Sequence, residues 1–228
     1  MADRMRLATE ERRDLADLLD SLTPEQWLHP SLCEGWSVRD VVAHVVSYEE
    51  LGYLGLAVVF LRGGFRPARV NRIRLDAYRD RQPGQLVELL RSHLAPRGLT
   101  AGQGGAIGLA DCLIHHQDIR RPLGLHRKVP DERLIEALKI TLKAPTLPTR
   151  RNARGLCVVA TDLDWQHGTG AEVRGAGESL LMALAGRSVA IDELRGPGVD
   201  ILRLRQRVAN TGIAGEAPGE PSGTVASS

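Results

Sequence analysis

Residues 35–44 read GWSVRDVVAH, and the fold is decided there. Gly35-Trp36 closes a loop that begins at Pro30. Ser37 then offers a side-chain oxygen to the free backbone N–H groups that start a helix. Asp40, three positions on, resembles the reciprocal acid of a capping box in its shorter form. Val38, Val41, Val42 and Val45 make one apolar stripe at helical spacing. His44 stands beside Val45 and three residues from Val41, at the edge of that stripe and facing a neighbouring helix. The helix is expected to run to about Phe60, with Gly52 and Gly55 weakening its second half.

Upstream, residues 4–22 repeat leucines (Leu7, Leu15, Leu18, Leu19, Leu22) near a spacing of 3.6, which predicts a helix. Thr23-Pro24-Glu25 reads as a new N-cap with proline at the first helical position. Downstream, Gly63-Gly64 and Pro67 break the chain. A short helix and a clearer one follow within 69–95, separated by Pro83-Gly84. The glycine-rich loop Pro96–Gly105 leads to a helix over Ala106–Arg121, stopped by Pro122 and Gly124. A further helix spans Asp131–Lys143. Composition then changes. Gly155–Trp165 is β-like, Ala171-Glu172-Val173 is a partner strand, and Glu178–Ala185 is a leucine-rich helix capped by Gly186. The expected organisation is mainly α: a helical bundle over 1–145, a small α/β C-terminal appendage over 152–208, and a disordered tail over 209–228, where small, glycine- and proline-rich residues dominate.

Composition excludes several classes. Thirty Lys and Arg face 28 Asp and Glu, a net charge of +2 without a basic stripe, and aromatics are 4%. A nucleic-acid binder needs clustered cations and stacking rings, so no nucleic acid is expected. Cys33, Cys112 and Cys157 form no CxxC pair, which argues against a structural zinc knuckle and for a reducing compartment. The N-terminus is charged from its start and lacks a signal-peptide core. The most apolar run, Leu51–Leu61, is about half of what a bilayer span needs. A cytoplasmic location with no membrane partner is expected.

The stretch 110–124 reads ADCLIHHQDIRRPLG. Asp111 and His115 are four apart, so on a helix they share a face at about 6 Å. That spacing lets a carboxylate and an imidazole bind one ion. A third ligand must come from another element, and His44 is the candidate. Spacing alone does not separate this reading from a bland one, an exposed helix charge beside a histidine at the core edge. Cys112 and His116 repeat the spacing on another face, about 100° away. His116 is assigned to a supporting or surface position, and Cys112 to packing.

Residues 35–44 look like the "GWsvrDvvaHl" signature of the DinB-like superfamily. More narrowly, they resemble its mycothiol-dependent maleylpyruvate isomerase branch. That family's "E-x-x-x-H-x-x-D" segment is matched by Asp111, His115 and Asp118. The strings His116–Gly124, Thr161–Trp165, Leu180–Arg187 and Glu193–Gly198 are similar to the branch as well, so the resemblance covers about residues 5–205. It implies a DinB-like four-helix bundle that holds a divalent metal, usually zinc, through His44, Asp111 and His115. The chain departs from the branch at Asp111, where glutamate is usual. The shorter acid implies weaker coordination, coordination through water, or a small helix shift.

The resemblance also implies mycothiol, the low-molecular-weight thiol of actinobacteria, as cosubstrate. An open position on a zinc held by two neutral imidazoles and a carboxylate turns a thiol into thiolate. The implied activity is that of an isomerase or S-transferase acting on a small electrophile. The alternative is a non-catalytic DinB-like bundle that binds a small molecule or a partner. Arg120 and Arg121 are candidates for binding the thiol or an anionic substrate, with Arg150 and Arg151 behind them. Asp118 is placed to orient an imidazole or to bond Arg121. Cys33 is a candidate pocket residue, and Trp36 is expected to pack in the core under the helix that carries His44. Trp165 is expected to be structural, with thiol binding as the other reading.

Overall fold

The computed structural model describes residues 2–214. Four helices form the bundle: α1 (Arg4–Asp20), α3 (Val38–Ser47), α6 (Pro83–Ser92) and α7 (Gly102–Arg120). α1 packs on α6 and α7, and α3 packs on the same two. The short α2 (Pro24–Leu28) precedes α3, and α4 (Tyr53–Arg62) with α5 (Pro67–Ala77) lies between α3 and α6. The capping box at α3 is as expected: the Asp40 carboxylate accepts from the Ser37 backbone N–H at 3.0 Å, and Ser37 Oγ accepts from the Asp40 N–H at 3.2 Å. Val38, Val41, Val42, Val45 and Val46 are all buried among leucines of α1 and α6 and Cys112 and Ile119 of α7.

The helix that begins at Ser37 does not continue to Phe60. α3 ends at Ser47, and α4 starts afresh after Gly52, which is extended. Buried charge explains the break. Arg74 donates to the Ser47 carbonyl. Glu49 turns inward to meet Arg12 at 2.6 Å, with both side chains fully buried. The Glu49 carboxylate also accepts from the Arg97 N–H at 3.0 Å and from Thr100 Oγ1 at 2.6 Å. A helix continuing straight through Glu49 would leave this carboxylate without those partners, at a cost of several kcal/mol.

α7 contains a break of its own. Gln103, Gly104 and Gly105 have left-handed backbones, so the regular helix starts at about residue 106, as its sequence predicts. Gly105 sits against the start of α1. A Cβ there would lie 2.9 Å from Met5 Cα and 3.1 Å from the Arg4 carbonyl oxygen. Glycine is therefore what lets α1 and α7 cross so closely.

After α8 (Asp131–Thr141) and α9 (Thr149–Ala153), three strands form one sheet: β1 (Leu156–Ala160), β2 (Gln166–His167) and β3 (Ala171–Gly175). The order is β2-β1-β3, with β1 antiparallel to β2 and parallel to β3. Parallel neighbours usually need a crossover of a dozen or more residues. Here the chain passes from β2 to β3 under the start of β1. At Gly170 (φ +126) any Cβ would collide with the Gly155 carbonyl. α10 (Gly177–Leu184), a 3-10 helix (Ser188–Glu193) and α11 (Val199–Ala214) complete the described chain. α11 runs through Ala214, past the start of the tail expected from 209; residues 215–228 lie outside the described residues. The C-terminal unit shares a core with the bundle, because Leu113 and Ile114 of α7 and Leu134 and Leu138 of α8 pack with Leu156, Val173 and Leu180. Among the described residues, no helix is long and apolar enough to cross a membrane.

Candidate metal centre

α3 and α7 lie side by side, and their registers bring His44, Asp111 and His115 together. The ligand atoms all lie within 4.8 Å of one another. His44 Nε2 and His115 Nε2 are each 3.6 Å from Asp111 Oδ1. The two imidazole rings meet edge to face at 4.9 Å. A tetrahedral zinc with bonds of about 2.1 Å separates its ligand atoms by about 3.4 Å. Two imidazole nitrogens and one carboxylate oxygen at these spacings therefore fit a divalent ion with little movement. The shorter aspartate already brings Oδ1 within 3.6 Å of both imidazole nitrogens.

Supporting contacts differ for the two histidines. His115 Nδ1 is 2.9 Å from Asp118 Oδ2, a fully buried carboxylate. The ring donates there, so an ion that displaced the Nε2 proton would meet a lone pair directed towards Asp111 and His44. Asp118 is itself clamped. Arg187 Nε donates to its Oδ1 at 2.9 Å, and Arg187 Nη2 to its Oδ2 at 2.5 Å. Cys33 Sγ lies 3.2 Å from the same Oδ2 and 3.7 Å from His115 Nδ1. Cys33, His115 and Asp118 also cluster closely enough for a metal. The Asp118 oxygens are already taken by a guanidinium and an imidazole, so the trio on the Nε2 side is the better cradle. His44 Nδ1 is buried with no hydrogen-bond partner among the described residues. Its ring is held by Trp36 at 5.2 Å and by the edge of Tyr48 at 5.7 Å.

Electrostatics follow the geometry. Burial alone would raise the Asp111 carboxyl, but His115 and His44 outweigh it and hold it at about 2. Burial would lower His115; Asp111 first, then the hydrogen bond to Asp118, push it up to about 10. Burial likewise opposes ionisation of Asp118, and the hydrogen bonds from His115 and Arg187 hold it far below the usual carboxylate range. The centre keeps its acids ionised and pulls cations towards them.

A cavity of about 540 Å³ opens onto Asp111 and His115. Phe60, Ile107, Ile140 and Leu147 give it apolar walls, and Arg4, Lys143 and Arg187 give it positive charge. A larger cleft of about 1080 Å³, between α8 and the sheet, shares Arg4 and Lys143 but reaches none of the three candidate ligands. Size favours the cleft; the chemistry favours the smaller cavity.

The structure brings His44, Asp111 and His115 to one point and leaves Arg120 and Arg121 away from it. Arg120 Nε donates to His116 Nε2 at 2.8 Å. Arg121 is paired with Glu178 and, at 2.6 Å, with Glu193. Both line a separate cavity of about 400 Å³. Asp118 bonds His115 and Arg187, not Arg121. His116 is fully buried against Glu11 rather than at the surface. Arg150 and Trp165 line the larger cleft. Trp36 is half-buried and touches His44. Arg187 is the residue that sequence reasoning missed. It follows Gly186, which leaves α10 with φ +101, and it comes from the far side of the chain. A lone arginine after a helix-ending glycine carries no local signal of its partner 69 positions away.

Fold and site define a class: a four-helix bundle with a candidate two-histidine, one-carboxylate centre, overlaid by an α/β unit that sends an arginine into it. Residues 8–97 match the family model described as mycothiol maleylpyruvate isomerase N-terminal domain. The match includes His44 and stops short of Asp111 and His115. Among solved structures, a histidine-to-alanine variant of the mycothiol-dependent maleylpyruvate isomerase is similar with a TM-score of 0.57 and 18% identity, covering 85% of this chain and 91% of that one. A structure of the mycothiol-dependent maleylpyruvate isomerase itself is similar with a TM-score of 0.51, 15% identity and the same coverage. At these identities the likeness shows a shared fold. No curated protein matches the chain.

Proposed function

We propose that this chain holds one divalent metal ion, zinc by its donor set, through His44, Asp111 and His115. With it the chain uses a low-molecular-weight thiol, mycothiol, as an isomerase or S-transferase on a small electrophile. The observation that carries the reading is the convergence of three side chains from two helices on one point beside a cavity. The ion, when bound, stabilises thiolate over thiol and so supplies a nucleophile at neutral pH. The match to the mycothiol maleylpyruvate isomerase N-terminal domain supports the choice of thiol.

The chain's own residues do the rest. Asp118 accepts the Nδ1 proton of His115 and fixes the tautomer that points Nε2 at the ion. Arg187 locks Asp118 and neutralises it. The apolar walls of the cavity exclude water from the thiolate, which strengthens it as a nucleophile. Lys143 faces the cavity and can hold a carboxylate of the electrophile, whereas Arg4, also at the wall, is paired with Glu136 at 2.8 Å. In the isomerase reading, a sulfur–carbon bond forms as the π bond of a conjugated alkene breaks. The new single bond rotates, and loss of thiolate restores the alkene. In the transferase reading, the sulfur displaces a leaving group and stays.

The test is elemental analysis of gently purified protein together with titration of mycothiol. Near-stoichiometric zinc or a similar ion, and thiol binding that depends on it, support the reading. A protein that carries no ion and takes up none from a zinc solution overturns the metal. Full metal with no thiol binding overturns the cosubstrate.

A further inference from the structure

Residues 51–75 contain five arginines, at 62, 66, 69, 72 and 74, and no aspartate, glutamate or lysine. The whole chain carries a net charge of only +2, so this segment is a strong local excess, which the expectation of no basic stripe and no membrane partner passed over. Arg74 is buried on the Ser47 carbonyl. Arg62, Arg66, Arg69 and Arg72 are exposed, and among the described residues none of them makes an ion pair. The same segment exposes large apolar side chains. Leu54 is 85% exposed, Val58 50%, Leu61 66% and Phe65 70%. Leu54, Val58 and Leu61, at spacings of four and three, share one helical face of α4, and Phe65 is exposed in the turn beyond it. The opposite face is the one that packs: Val59, Leu56 and Phe60 meet Tyr48 and Val70.

The turn after α4 shows that this exposure is built. α4 ends at Arg62, Gly63 and Gly64 turn the chain, and the Phe65 N–H returns to the Phe60 carbonyl at 3.0 Å. Phe65 itself has φ +56, a left-handed backbone that a bulky side chain rarely adopts. This turn adopts an unfavourable conformation and leaves the Phe65 ring 70% exposed, its centroid 6.4 Å from that of Phe60.

We propose that α4 and the 61–66 turn form a docking surface for an anionic lipid bilayer. An amphipathic helix with apolar side chains outward and arginines around them lies in the headgroup region of such a membrane. Among the described residues no helix is long and apolar enough to cross a bilayer, which does not bear on lying upon one. Charge complementarity selects the occupant. A second copy placed face to face would set eight exposed arginines against one another with no acid in either segment. A nucleic acid would satisfy the arginines but leave the aliphatic stripe in water. An anionic bilayer satisfies both. The inner face of α4 supplies Phe60 to the cavity at the candidate metal centre, so docking would put that cavity directly behind the membrane-bound helix. The proposal itself is independent of the metal.

The experiment is co-sedimentation of the full chain with vesicles of phosphatidylglycerol and phosphatidylcholine, against vesicles of phosphatidylcholine alone. Binding to the first, weak binding to the second, and loss on raising salt from 0.05 to about 0.5 M are expected. Arg66→Gln with Arg69→Gln should weaken binding roughly thirtyfold, at the strength expected of two juxtamembrane cations. Leu61→Ser with Phe65→Ser should weaken it comparably, with unchanged circular dichroism. Hydrogen exchange on the unsubstituted protein needs no variant: amides of 54–66 should slow on anionic vesicles only. No sedimentation with anionic vesicles overturns the proposal. So does binding indifferent to lipid charge, or self-association that the Leu61/Phe65 variant abolishes.

Discussion

At the scale of single residues, the candidate centre separates the proposed ligands from the side chains that would aim them, and variants should divide accordingly. His44→Ala and His115→Ala each remove a nitrogen that Asp111 cannot replace. Each should abolish metal retention in elemental analysis while the far-ultraviolet circular dichroism stays helical, since both rings sit at the edge of the core. Asp111→Glu should keep or tighten the ion, because one added methylene shortens the 3.6 Å gaps to the two imidazoles. Asp118→Asn keeps shape and an acceptor oxygen but loses the charge that polarises His115. A metal dissociation constant raised about ten- to hundredfold is expected in competition with a chromophoric chelator. An ion retained by both histidine variants would show that the wrong side chains had been chosen. Asp111 and His115 were legible in sequence because four residues of helix fix their distance. His44 was legible through its place on the valine stripe and at the end of the 35–44 signature. Arg187 was not, because only the fold brings position 187 to position 118.

At the scale of elements, caps and apolar periodicity carried most of the reading. Ser37 and the valines gave α3, the leucines gave α1, and Asp131 gave the start of α8. What escaped depends on long-range contacts. The break between α3 and α4 is made by Arg12, Arg74 and Thr100, none of them near residue 49 in sequence. The parallel pairing of β1 with β3 escaped for a related reason, since strand patterns carry no pairing order. α7 offers a direct test of one close contact. Gly105→Ala puts a methyl group 2.9 Å from Met5 Cα and requires φ +91 of a residue that resists it. The expected loss is about 1–3 kcal/mol, read as a lower urea midpoint with an unchanged slope. Gly104→Ala, at φ +71 with nothing within 4 Å, is the control for backbone strain alone. Equal losses in the two variants would remove the steric argument for the crossing of α1 and α7.

At the scale of the whole molecule, α1 is the pillar on which charge is buried from two sides. Arg12 faces Glu49 on one side. On the other, Glu11 receives His116 Nδ1 at 2.8 Å and Arg133 at 3.1 Å, and Arg127 as well. This second cluster joins α1, α7 and α8, so its protonation state bears on global stability. His116 is neutral in the fold: burial first, then Arg127 and Arg120, lower it to about 4 against the pull of Glu11. Its Nε2 must keep a lone pair to accept from Arg120. The unfolded chain takes up this proton near 6.5, so the contribution of His116 is complete above pH 6.5 and lost as pH falls towards 4. Burial would raise Glu11, and the hydrogen bond from His116 with the charge of Arg127 holds it at about 2 instead. Its contribution is complete above 4.5 and lost as pH falls towards 2. Stability should therefore decline in two overlapping steps on acidification, each no steeper than about 1.4 kcal/mol per pH unit for one proton. His116→Gln preserves a donor towards Glu11 and an acceptor towards Arg120 but cannot titrate. Urea midpoints of that variant should stay level between pH 6.5 and 5, where the unsubstituted protein already weakens, and fall only below it. A parallel decline of both proteins across that interval would place the acid sensitivity elsewhere in the molecule.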